Sequence, residues 1–537
     1  MILENYILDI KNLSISFFEN NKENVVLNNF NFCFKKNIIT SIVGPSGCGK
    51  SVLSLACLNL LNHSKKLNIS GNIFYKKNKC VLNLNKKESL LYRGIYTSII
   101  FQDPFTSLNP VLNCKYQLSE CIKKKYPLIS KDLINKKLYS VLKKVRLKNP
   151  DKILLSYPHE LSGGQLQRIL ICFSLIFESR LIIADEVTTA LDPYVKNKIL
   201  MLLKTICYEK KISLFLISHD INIVKKFSDE IIILKEGNII ETGKTNLVFK
   251  NPKNYFTKSL IICKPKITNN SFFLPYLKDN KIIKEKKILF KKHINKNILE
   301  LKNLSISYKK HIVLKNINLK IKENDIIGII GRSGSGKSTL SKIICLIEKK
   351  YSGQIFYKNQ NFKTINNKIL NKKIQLVFQN PESSLNPNQK IINCLKEVLI
   401  VNNINKEQHL NLIYKKLKEV DLEKDILNKY PHELSGGQKQ RISITRILIS
   451  NPEIIIFDES VSALDVNTQA YVLNLIKKIY IKNNLTIIYI SHDISTVTFL
   501  CNKIYVLKNG RIIDSFKKNN ILKSIRNKET IKLINNT

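Results

Sequence analysis

The chain has 537 residues and a formal net charge of +47, a length that allows two or more domains with cores of their own. Its lysines are dispersed rather than interleaved with aromatic residues, which indicates solvated faces and argues against nucleic-acid binding. The 12 cysteines include no C-x-x-C pair and no apolar run approaches the ~18 residues of a spanning helix, so we expect neither zinc nor iron–sulfur sites and no membrane segment.

The first half opens on two stretches that alternate apolar and polar residues, ILDIKNLSISFF and VVLNNFNFCF, which predict antiparallel strands. A buried strand follows in NIITSIVG, and it leads into GPSGCGKS (residues 44–51) and the helix-like VLSLACLNLL. A strand, the pattern G-x-x-x-x-G-K-[ST] and a helix in this order predict a phosphate-binding loop. In such a loop the backbone N–H groups and Lys50 hold phosphate charge, and the hydroxyl of Ser51 reaches Mg²⁺.

A second informative stretch, residues 157–192, reads YPHELSGGQLQRILICFSLIFESRLIIADEVTTALD. It contains LSGGQ, a helix-like run and an apolar strand that ends in Asp185 and Glu186. Two carboxylates at a strand end can hold Mg²⁺ with the first and activate a water with the second. The LSGGQ glycines leave N–H groups free to approach phosphate oxygens at a helix N-terminus. The stretch predicts nucleotide hydrolysis.

Residues 264–297 separate this half from the next, and they are rich in lysine and contain Pro265 and Pro275. This composition predicts a flexible linker of about thirty residues between a domain at 1–263 and a domain at 298–537. The first domain ends in NPKNYFTKSLI, for which the second half shows no counterpart. We assign no function to the short basic tail after IYVLKNGRII.

The second half repeats the order of the first. ILELKNLSISYKK and HIVLKNINLKI are followed by DIIGIIG, by GRSGSGKS (331–338), and by YPHELSGGQKQRISITRILISNPEIIIFDESVSALD (430–465). Ten of the 17 glycines lie in the two phosphate loops and the two LSGGQ motifs. From LSGGQ onward the halves align without a gap, and they differ in length between phosphate loop and LSGGQ. The pattern indicates a duplication with one variable arm.

Together these motifs resemble two copies of the ATP-binding cassette of ABC ATPases, with LSGGQ as signature motif, Asp-Glu as Walker B and Ala-Leu-Asp as D-loop. The resemblance implies an α/β fold of two tandem P-loop NTPase domains. Each domain is expected to have a RecA-like core, an antiparallel β subdomain and a helical subdomain. ATP and Mg²⁺ are the expected ligands, and Mg-dependent ATP hydrolysis is the expected activity.

The resemblance also implies a role for individual residues. The residues expected to bind ATP are Gly44, Pro45, Ser46, Gly47, Cys48, Gly49, Lys50, Ser51, Gly331, Arg332, Ser333, Gly334, Ser335, Gly336, Lys337, Ser338, Ser162, Gly163, Gly164, Ser435, Gly436, Gly437, Phe17 and Tyr308. The expected Mg²⁺ ligands are Ser51, Gln102, Asp185, Ser338, Gln379 and Asp458. The expected catalytic residues are the general bases Glu186 and Glu459 and the switch histidines His219 and His492.

Two features depart from the family pattern or leave a choice open. Phe17 and Tyr308 stand where the family stacks adenine on an aromatic ring, but Phe18 competes with Phe17 for this role and both can equally be core residues. Val187 and Ser460 replace the proline that usually follows Walker B, a change that removes no ligand.

The segments FQDPFTSLNP and FQNPESSLNP resemble the Q-loop regions of importer ATPases for oligopeptides, dipeptides and nickel, in the fused form of peptide, glutathione and microcin importers. This resemblance implies two transmembrane permease subunits as partners, an extracytoplasmic solute-binding protein as an indirect partner, and no nucleic acid. It also implies a peripheral location on the cytoplasmic face of the inner membrane. The two cassettes are expected to form an intramolecular dimer in which each signature motif closes over the ATP of the other cassette.

Two other classes of protein share some of these sequence features. A soluble two-cassette translation factor on the ribosome also lacks membrane segments, but such factors join their cassettes by a longer charged helical hairpin, whereas this linker contains two prolines. A DNA-repair ATPase with zinc modules requires cysteine pairs that are absent from this sequence. The sequence does not identify the transported solute.

Overall fold

The computed structural model describes residues 5–19, 22–61, 66–75, 79–187, 193–267, 271–279, 281–286, 296–308, 311–462, 464–518 and 527–535. The D-loop residues Ala190, Leu191, Asp192 and Ala463 lie outside these ranges. The chain forms two compact units, residues 1–261 and 262–537.

The first unit alternates strands and helices along its length. Its strands are β1 (Tyr6–Glu19), β2 (Lys22–Lys35), β3 (Ile39–Val43), β4 (Leu67–Tyr75), β5 (Lys79–Cys80), β6 (Thr97–Ile100), β7 (Leu181–Asp185), β8 (Ser213–Ile217), β9 (Glu230–Lys235) and β10 (Asn238–Lys244). Its helices are α1 (Lys50–Cys57), α2 (Lys86–Leu91), α3 (Pro104–Ser107), α4 (Cys114–Lys125), α5 (Lys131–Lys144), α6 (Pro150–Leu155), α7 (Gly163–Phe177), α8 (Pro193–Lys210), α9 (Ile221–Phe227), α10 (Thr245–Lys250) and α11 (Tyr255–Ile262).

These elements form two sheets and a helical subdomain. The antiparallel sheet has the order β2-β1-β4-β5, which confirms the predicted pairing of the first two strands. The core sheet has the order β10-β9-β3-β8-β7-β6, and β3, β6, β7, β8 and β9 are parallel. Every residue of β3 and β7 is buried, as expected for parallel strands that are covered on both faces. Helices α4 to α7 pack on one another as the helical subdomain.

The second unit repeats the ten strands of the first, preceded by a short hairpin, and has eight helices among the described residues. Its strands are β11 (Tyr276–Lys278), β12 (Lys281–Ile283), β13 (Asn297–Tyr308), β14 (His311–Lys322), β15 (Ile326–Ile330), β16 (Ser352–Tyr357), β17 (Gln360–Asn361), β18 (Ile374–Val377), β19 (Ile454–Asp458), β20 (Thr486–Ser491), β21 (Lys503–Lys508) and β22 (Arg511–Lys517). Its helices are α12 (Lys337–Ile344), α13 (Asn367–Lys373), α14 (Ile391–Val401), α15 (His409–Glu419), α16 (Gly436–Ile449), α17 (Val466–Asn483), α18 (Ile494–Leu500) and α19 (Lys528–Asn535).

The sheets of the second unit repeat those of the first. The antiparallel sheet has the order β14-β13-β16-β17, and the core sheet has the order β18-β19-β20-β15-β21-β22. The structure therefore confirms the predicted α/β fold of two tandem P-loop cassettes, each with a core, an antiparallel β subdomain and a helical subdomain. The α14, α15 and α16 helices bury their own apolar cluster, which forms the second helical subdomain.

The C-terminal helix α19 corrects one expectation from the sequence, because it is a counterpart of α11. Asn254 accepts the backbone N–H of Phe256 at 2.8 Å, and Asn527 accepts that of Glu529 at 2.9 Å, so both helices begin at an asparagine cap. A buried threonine follows one residue later in each helix. Glu529 stands where the first half has the aromatic Phe256. The sequence pattern of α11 is therefore not recognisable in α19.

Part of the predicted linker is folded against the second unit and is not a free chain. Residues 271–279 and 281–286, called here the docked segment, pack on α17 of the second unit and include the hairpin of β11 and β12. Asn474 donates to the carbonyl of Leu274 at 2.7 Å and accepts its N–H at 2.8 Å, both in buried surroundings. Leu274 is fully buried. The domain limits at 263 and 298 stay predictions, but the docked segment belongs structurally to the second unit.

The buried amine of Lys477 on α17 also binds the docked segment. Its Nζ donates to the carbonyl of Phe272 at 2.8 Å and lies 3.6 Å from the centre of the Phe499 ring. The side chain is 6 % exposed, and burial, together with the charge of nearby Lys518, lowers the pKa of Lys477 to about 7. The thiol of Cys501 also faces this amine.

Lys477→Met should change how the stability of the second unit depends on pH. Between about pH 7 and the ordinary lysine value of 10.5, the unfolded chain binds a proton at this position that the folded chain does not. The parent therefore gains stability relative to the variant as pH rises through this window, by up to roughly 1.4 kcal/mol per pH unit, and loses that gain as pH falls to 7. Thermal unfolding of both proteins from pH 6 to pH 10 measures the difference.

The control is Lys482→Met, which removes a largely exposed lysine further along α17. If the difference in stability between Lys477→Met and the parent stays constant from pH 6 to pH 10, the Lys477 amine does not titrate in this range and the prediction is wrong.

Candidate nucleotide sites

Both predicted phosphate loops curl around the lysine that ends them. Lys50 Nζ donates to the carbonyls of Gly44 and Pro45 at 2.9 and 2.6 Å. Lys337 makes the same bonds to the two residues that open its loop, at 2.9 and 3.0 Å. Both ammonium groups are buried, so the carbonyls compensate part of the cost of removing a charge from water. Each loop therefore holds its cation in place for an anionic ligand.

The middle of each phosphate loop is exposed to solvent, whereas the residues that end the loop are buried. Ser46 and Gly47 are exposed in the first loop, as are Ser333 and Gly334 in the second. The positions just before the lysines require glycine, because Gly49 has a φ of 101° and a Cβ there would lie 2.7 Å from Leu27.

Cys48 and Ser335 occupy equivalent buried positions under the two loops. The Cys48 Sγ lies 3.7 Å from the Lys50 Nζ, and burial raises the pKa of the Cys48 thiol. A neutral thiol therefore fits the place that the serine hydroxyl occupies in the second loop.

The first carboxylate of each Asp-Glu pair lies at the carboxyl end of a buried strand, beside the helix that follows the phosphate loop. Asp185 Oδ2 accepts from Ser54 at 3.3 Å and also meets the hydroxyl of Ser51. Burial, the largest influence, raises the pKa of Asp185, although the two serine hydroxyls act in the opposite direction. The same arrangement joins Asp458 to Ser341, at 3.0 Å, and to Ser338.

These residues fit a divalent cation. The Oδ1 atoms of Asp185 and Asp458 are buried and have no hydrogen-bond partner among the described residues, an expensive arrangement for a carboxylate. Hard oxygen donors from one carboxylate and one hydroxyl, completed by water and phosphate, are the set that Mg²⁺ prefers.

The second carboxylate of each pair sits on an unusual backbone. Glu186 and Glu459 have φ values of 46° and 47°, in the left-handed region that non-glycine residues seldom occupy. Their N–H groups donate to the carbonyls of Ile217 and Ile490 at 3.1 and 2.9 Å. The turn is therefore the same in both units although neither has a proline after Walker B. Strain of this kind, worth about 1–3 kcal/mol, persists where surrounding structure enforces it.

A glutamine and a histidine converge on each of these glutamates. In the first unit, Gln102 Nε2 donates to Glu186 Oε2 at 3.1 Å, and His219 Nδ1 lies 3.4 Å from the same oxygen. In the second unit, the corresponding distances to Glu459 Oε2 are 3.2 Å from Gln379 and 3.2 Å from His492. The structure thus brings together a glutamine, a glutamate and a histidine that lie far apart in the sequence of each half.

The LSGGQ motifs begin the long helices of the helical subdomains. Ser435 and Gln438 form a reciprocal cap, in which Ser435 N–H donates to the Gln438 side chain at 2.9 Å and the Gln438 N–H donates to the serine hydroxyl at 3.3 Å. In the first unit, the Gln165 side chain accepts from both the N–H and the hydroxyl of Ser162 at 2.9 Å. The four glycines named in the sequence therefore open α7 and α16, where the first N–H groups have no partner further along the helix.

The ABC transporter family profile matches residues 27–189 and, a second time, residues 314–462. The chain belongs to the ABC transporter family. Each matched range includes a phosphate loop, a Q-loop glutamine, a signature motif and a Walker B pair of this two-cassette ABC ATPase.

Relatives of similar length support the same assignment. The chain is 32 % identical over 520 residues to the peptidoglycan transport ATP-binding protein YejF of Agrobacterium fabrum, covering 95 % of this chain and 92 % of that protein. It is 32 % identical over 517 residues to an uncharacterised ABC transporter ATP-binding protein, YejF of Escherichia coli K12, covering 95 % of each. It is 29 % identical over 556 residues to the glutathione import ATP-binding protein GsiA of the same strain, covering 98 % and 89 %.

The aromatic residues proposed for adenine differ between the cassettes. Tyr308 is 45 % exposed, and its hydroxyl donates to Glu348 at 2.8 Å. Phe17 is only partly buried and packs against the buried apolar residues of the first unit, whereas its neighbour Phe18 is exposed. Adenine stacking therefore stays a prediction at both positions, with Tyr308 the more accessible ring.

In the second cassette, the candidate base also meets the phosphate-loop lysine. Glu459 Oε1 lies 3.8 Å from Lys337 Nζ. Burial alone would raise the pKa of Glu459, but the hydrogen bond to His492 and the charges of His492 and Lys337 outweigh it, so the pKa lies below its usual range. A carboxylate that stays ionised is ready to accept a proton.

The sequence reasoning missed Ser54 and Ser341, which hydrogen-bond the Walker B aspartates. Both follow the serine that is predicted to bind Mg²⁺ by three residues, which places the two serines on the same face of the helix. Their presence at the same spacing in both halves, K-S-V-L-S and K-S-T-L-S, is the signal that could have revealed them.

Proposed function

We propose that this chain is the ATP-hydrolysing subunit of an importer, and that it powers the uptake of peptides, glutathione-like peptides or nickel through a membrane permease. The observation that carries the hydrolytic part is the convergence of glutamine and histidine on Glu186 and Glu459, beside a phosphate loop in each cassette. The importer part is supported by relatives along nearly the whole chain whose names denote peptidoglycan transport and glutathione import.

The residues of each cassette divide the work of hydrolysis. Lys50 and Lys337 neutralise charge on the β- and γ-phosphates, and the loop N–H groups orient them. Mg²⁺, held by Ser51, Gln102 and Asp185 or by Ser338, Gln379 and Asp458, supplies further charge neutralisation when bound.

Glu186 and Glu459 accept a proton from the attacking water, whose oxygen forms a bond to the γ-phosphorus as the bond to the β–γ bridging oxygen breaks. ADP and inorganic phosphate leave. His219 and His492, which contact the same carboxylates, orient the water and the γ-phosphate.

Glu186→Gln combined with Glu459→Gln should slow ATP hydrolysis by about 10²–10⁴-fold, because the amide cannot accept the proton. Gln preserves the shape of the side chain and can keep the contacts to Gln102 and Gln379, so ATP binding should persist. Steady-state phosphate release and equilibrium binding of ATP measure the two effects separately.

The matched control is Glu209→Gln, which removes an exposed carboxylate from α8 of the first cassette. Hydrolysis by the double variant at the parental rate would show that neither glutamate is the general base.

We further propose that the two cassettes pair head to tail, so that each signature motif completes the ATP site of the other cassette. The phosphate loop at Lys50 would then face Ser435, Gly436 and Gly437, and the loop at Lys337 would face Ser162, Gly163 and Gly164. The position of these motifs at the N-termini of α7 and α16 supports this role, because N–H groups at a helix N-terminus suit phosphate oxygens.

Ser435→Arg should abolish the activity that remains in a Glu459→Gln background. In that background only the Lys50 site hydrolyses ATP, and the arginine would block the signature motif that closes it. Ser162→Arg is the matched control, and it should leave this residual activity in place. Phosphate release under single-site conditions measures both.

The opposite pattern, in which Ser162→Arg abolishes the residual activity and Ser435→Arg spares it, would mean that each cassette uses its own signature motif.

The permease is proposed to dock beside the Q-loops. In the second cassette, a groove of about 660 Å³ lies between α13, β18, α14 and α16 and includes Phe378, next to Gln379. Val401, which is 81 % exposed, lines its rim. Exposed apolar rings also flank Gln102 in the first cassette, at Phe101 and Phe105. Apolar patches with a polar rim are typical of interaction sites, and a groove of this kind suits a helix.

Two permease subunits, one for each Q-loop, would place the chain on the cytoplasmic face of the inner membrane and link it indirectly to an extracytoplasmic binding protein. Among the described residues, no helix combines the length and the apolar character needed to cross a membrane.

Val401→Asp should weaken recovery of the chain with membranes that contain its permease, because it replaces an exposed apolar side chain that lines the groove with a charge. Leu410→Asp is the control, since Leu410 lies on α15 of the same helical subdomain, is 41 % exposed and does not line the groove. Co-purification from solubilised membranes measures the loss.

Co-purification of the parent with ribosomes, abolished by nuclease, would instead favour a two-cassette translation factor. No feature of the described structure and no relative named above favours that alternative.

A further inference from the structure

A tyrosine on α17 connects the core of the second cassette to its helical subdomain. The Tyr471 hydroxyl donates to Asp421 Oδ2 at 2.7 Å, and Asp421 follows the end of α15. Tyr471 is partly buried, and burial and this hydrogen bond raise the pKa of its hydroxyl, so it stays a donor at physiological pH. A hydrogen bond to a carboxylate is among the stronger kinds in proteins.

An arginine carries this connection to the signature motif. Arg441 Nη1 donates to the backbone carbonyl of Asp421 at 2.7 Å, and its guanidinium lies 5.3 Å from the centre of the Tyr471 ring. Its Nε donates to the carbonyl of Gly437 at 3.3 Å, and Gly437 is the second glycine of LSGGQ. The contacts from Tyr471 therefore reach the signature motif through one side chain.

The docked segment holds the other side of the tyrosine. The ring of Tyr276 meets that of Tyr471 edge-on, with the ring centres 5.2 Å apart. Tyr276 is itself buried, and its hydroxyl bonds Glu285. Glu285 in turn accepts from Lys478 at 2.9 Å, and Asn474 bonds both backbone groups of Leu274. The segment is thus fixed to α17 on either side of Tyr276.

The first cassette lacks the chemistry for this connection at the equivalent positions. Arg168, the counterpart of Arg441, donates to the carbonyl of Arg146 at 3.3 Å, and Arg146 has the same left-handed backbone as Asp421. Lys198 occupies the position of Tyr471 and lies over the ring of Tyr194. Two cations cannot form the hydroxyl–carboxylate bond, so the Tyr–Asp connection belongs to the second cassette alone among these four positions.

We propose that Tyr471, held by Tyr276 of the docked segment, is a positioning residue that fixes the second signature motif relative to the core of its own cassette. Its effect on catalysis rests on the proposed head-to-tail pairing, in which this motif closes the ATP site at Lys50. A signature loop that is free to rotate must be ordered each time the site closes, which slows turnover. The phosphate loop that first binds that ATP lies in the other cassette and is untouched.

Tyr471→Phe removes the hydroxyl and keeps the ring. In the Glu459→Gln background, where only the Lys50 site turns over, it should lower kcat by roughly tenfold and leave the KM for ATP within about twofold. In the Glu186→Gln background, where only the Lys337 site turns over, it should leave kcat within about twofold. A merely structural weakening of the fold would not distinguish the two backgrounds.

Companion variants test the docked segment. Tyr276→Phe keeps the ring contact and should preserve activity in the Glu459→Gln background, whereas Tyr276→Ala should reproduce the loss seen with Tyr471→Phe. Asp421→Asn keeps an acceptor oxygen and should lose less activity than Asp421→Ala. The matched control is Tyr208→Phe, which deletes a Tyr–Asp hydrogen bond of 2.9 Å on α8 of the first cassette.

The outcomes separate this inference from the proposed pairing. Equal losses in both backgrounds, or no loss in either, would overturn the positioning role. A loss confined to the Glu186→Gln background would support the positioning role but show that the second signature motif serves its own cassette, against the head-to-tail arrangement. If Tyr471→Phe does not fold, the comparison of Asp421→Asn with Asp421→Ala in the two backgrounds decides the question.

Discussion

The carboxyl ends of parallel strands meet at one edge of a sheet, and both nucleotide sites depend on this geometry. In the first cassette, β3 leads into the phosphate loop, β7 ends at Asp185 and is followed by Glu186, and β8 leads to His219. Since β8 lies between the other two strands, residues from three distant parts of the chain lie close together at this edge. The burial of these strands makes the edge rigid and keeps the carboxylates away from bulk water.

Around this shared geometry the two cassettes have diverged in the residues that support the helical subdomain. The second signature motif is connected to the core through Tyr471 and Asp421. In the first cassette, Arg146 and Lys198 take the places of these last two residues. The duplication thus kept the catalytic edge of the sheet and changed the contacts that orient the helical subdomain.

Much of the fold and of both sites could be predicted from the sequence, because each motif is a short contiguous stretch with its own local chemistry. GPSGCGKS, for example, combines glycines for a left-handed turn with a lysine that the loop must enclose. Ser341 and Asp458 meet only in the folded core, and Tyr471 lies 50 positions from Asp421. Such pairs have no local pattern. The lysines of residues 264–297, together with Pro265 and Pro275, predict a linker, although Phe273, Leu274 and Tyr276 within it are buried in the fold.

The docked segment also determines where the protein can be dissected. A second cassette that begins at residue 298 would expose the apolar surface of α17 that Leu274 and Tyr276 cover, along with the unpaired amide of Asn474. Exposed apolar patches of this kind promote association between copies and poor solubility. The apolar surface of α17 stays covered only when the second cassette carries residues 271–286, so any truncated, split or recombined form of the chain should include them.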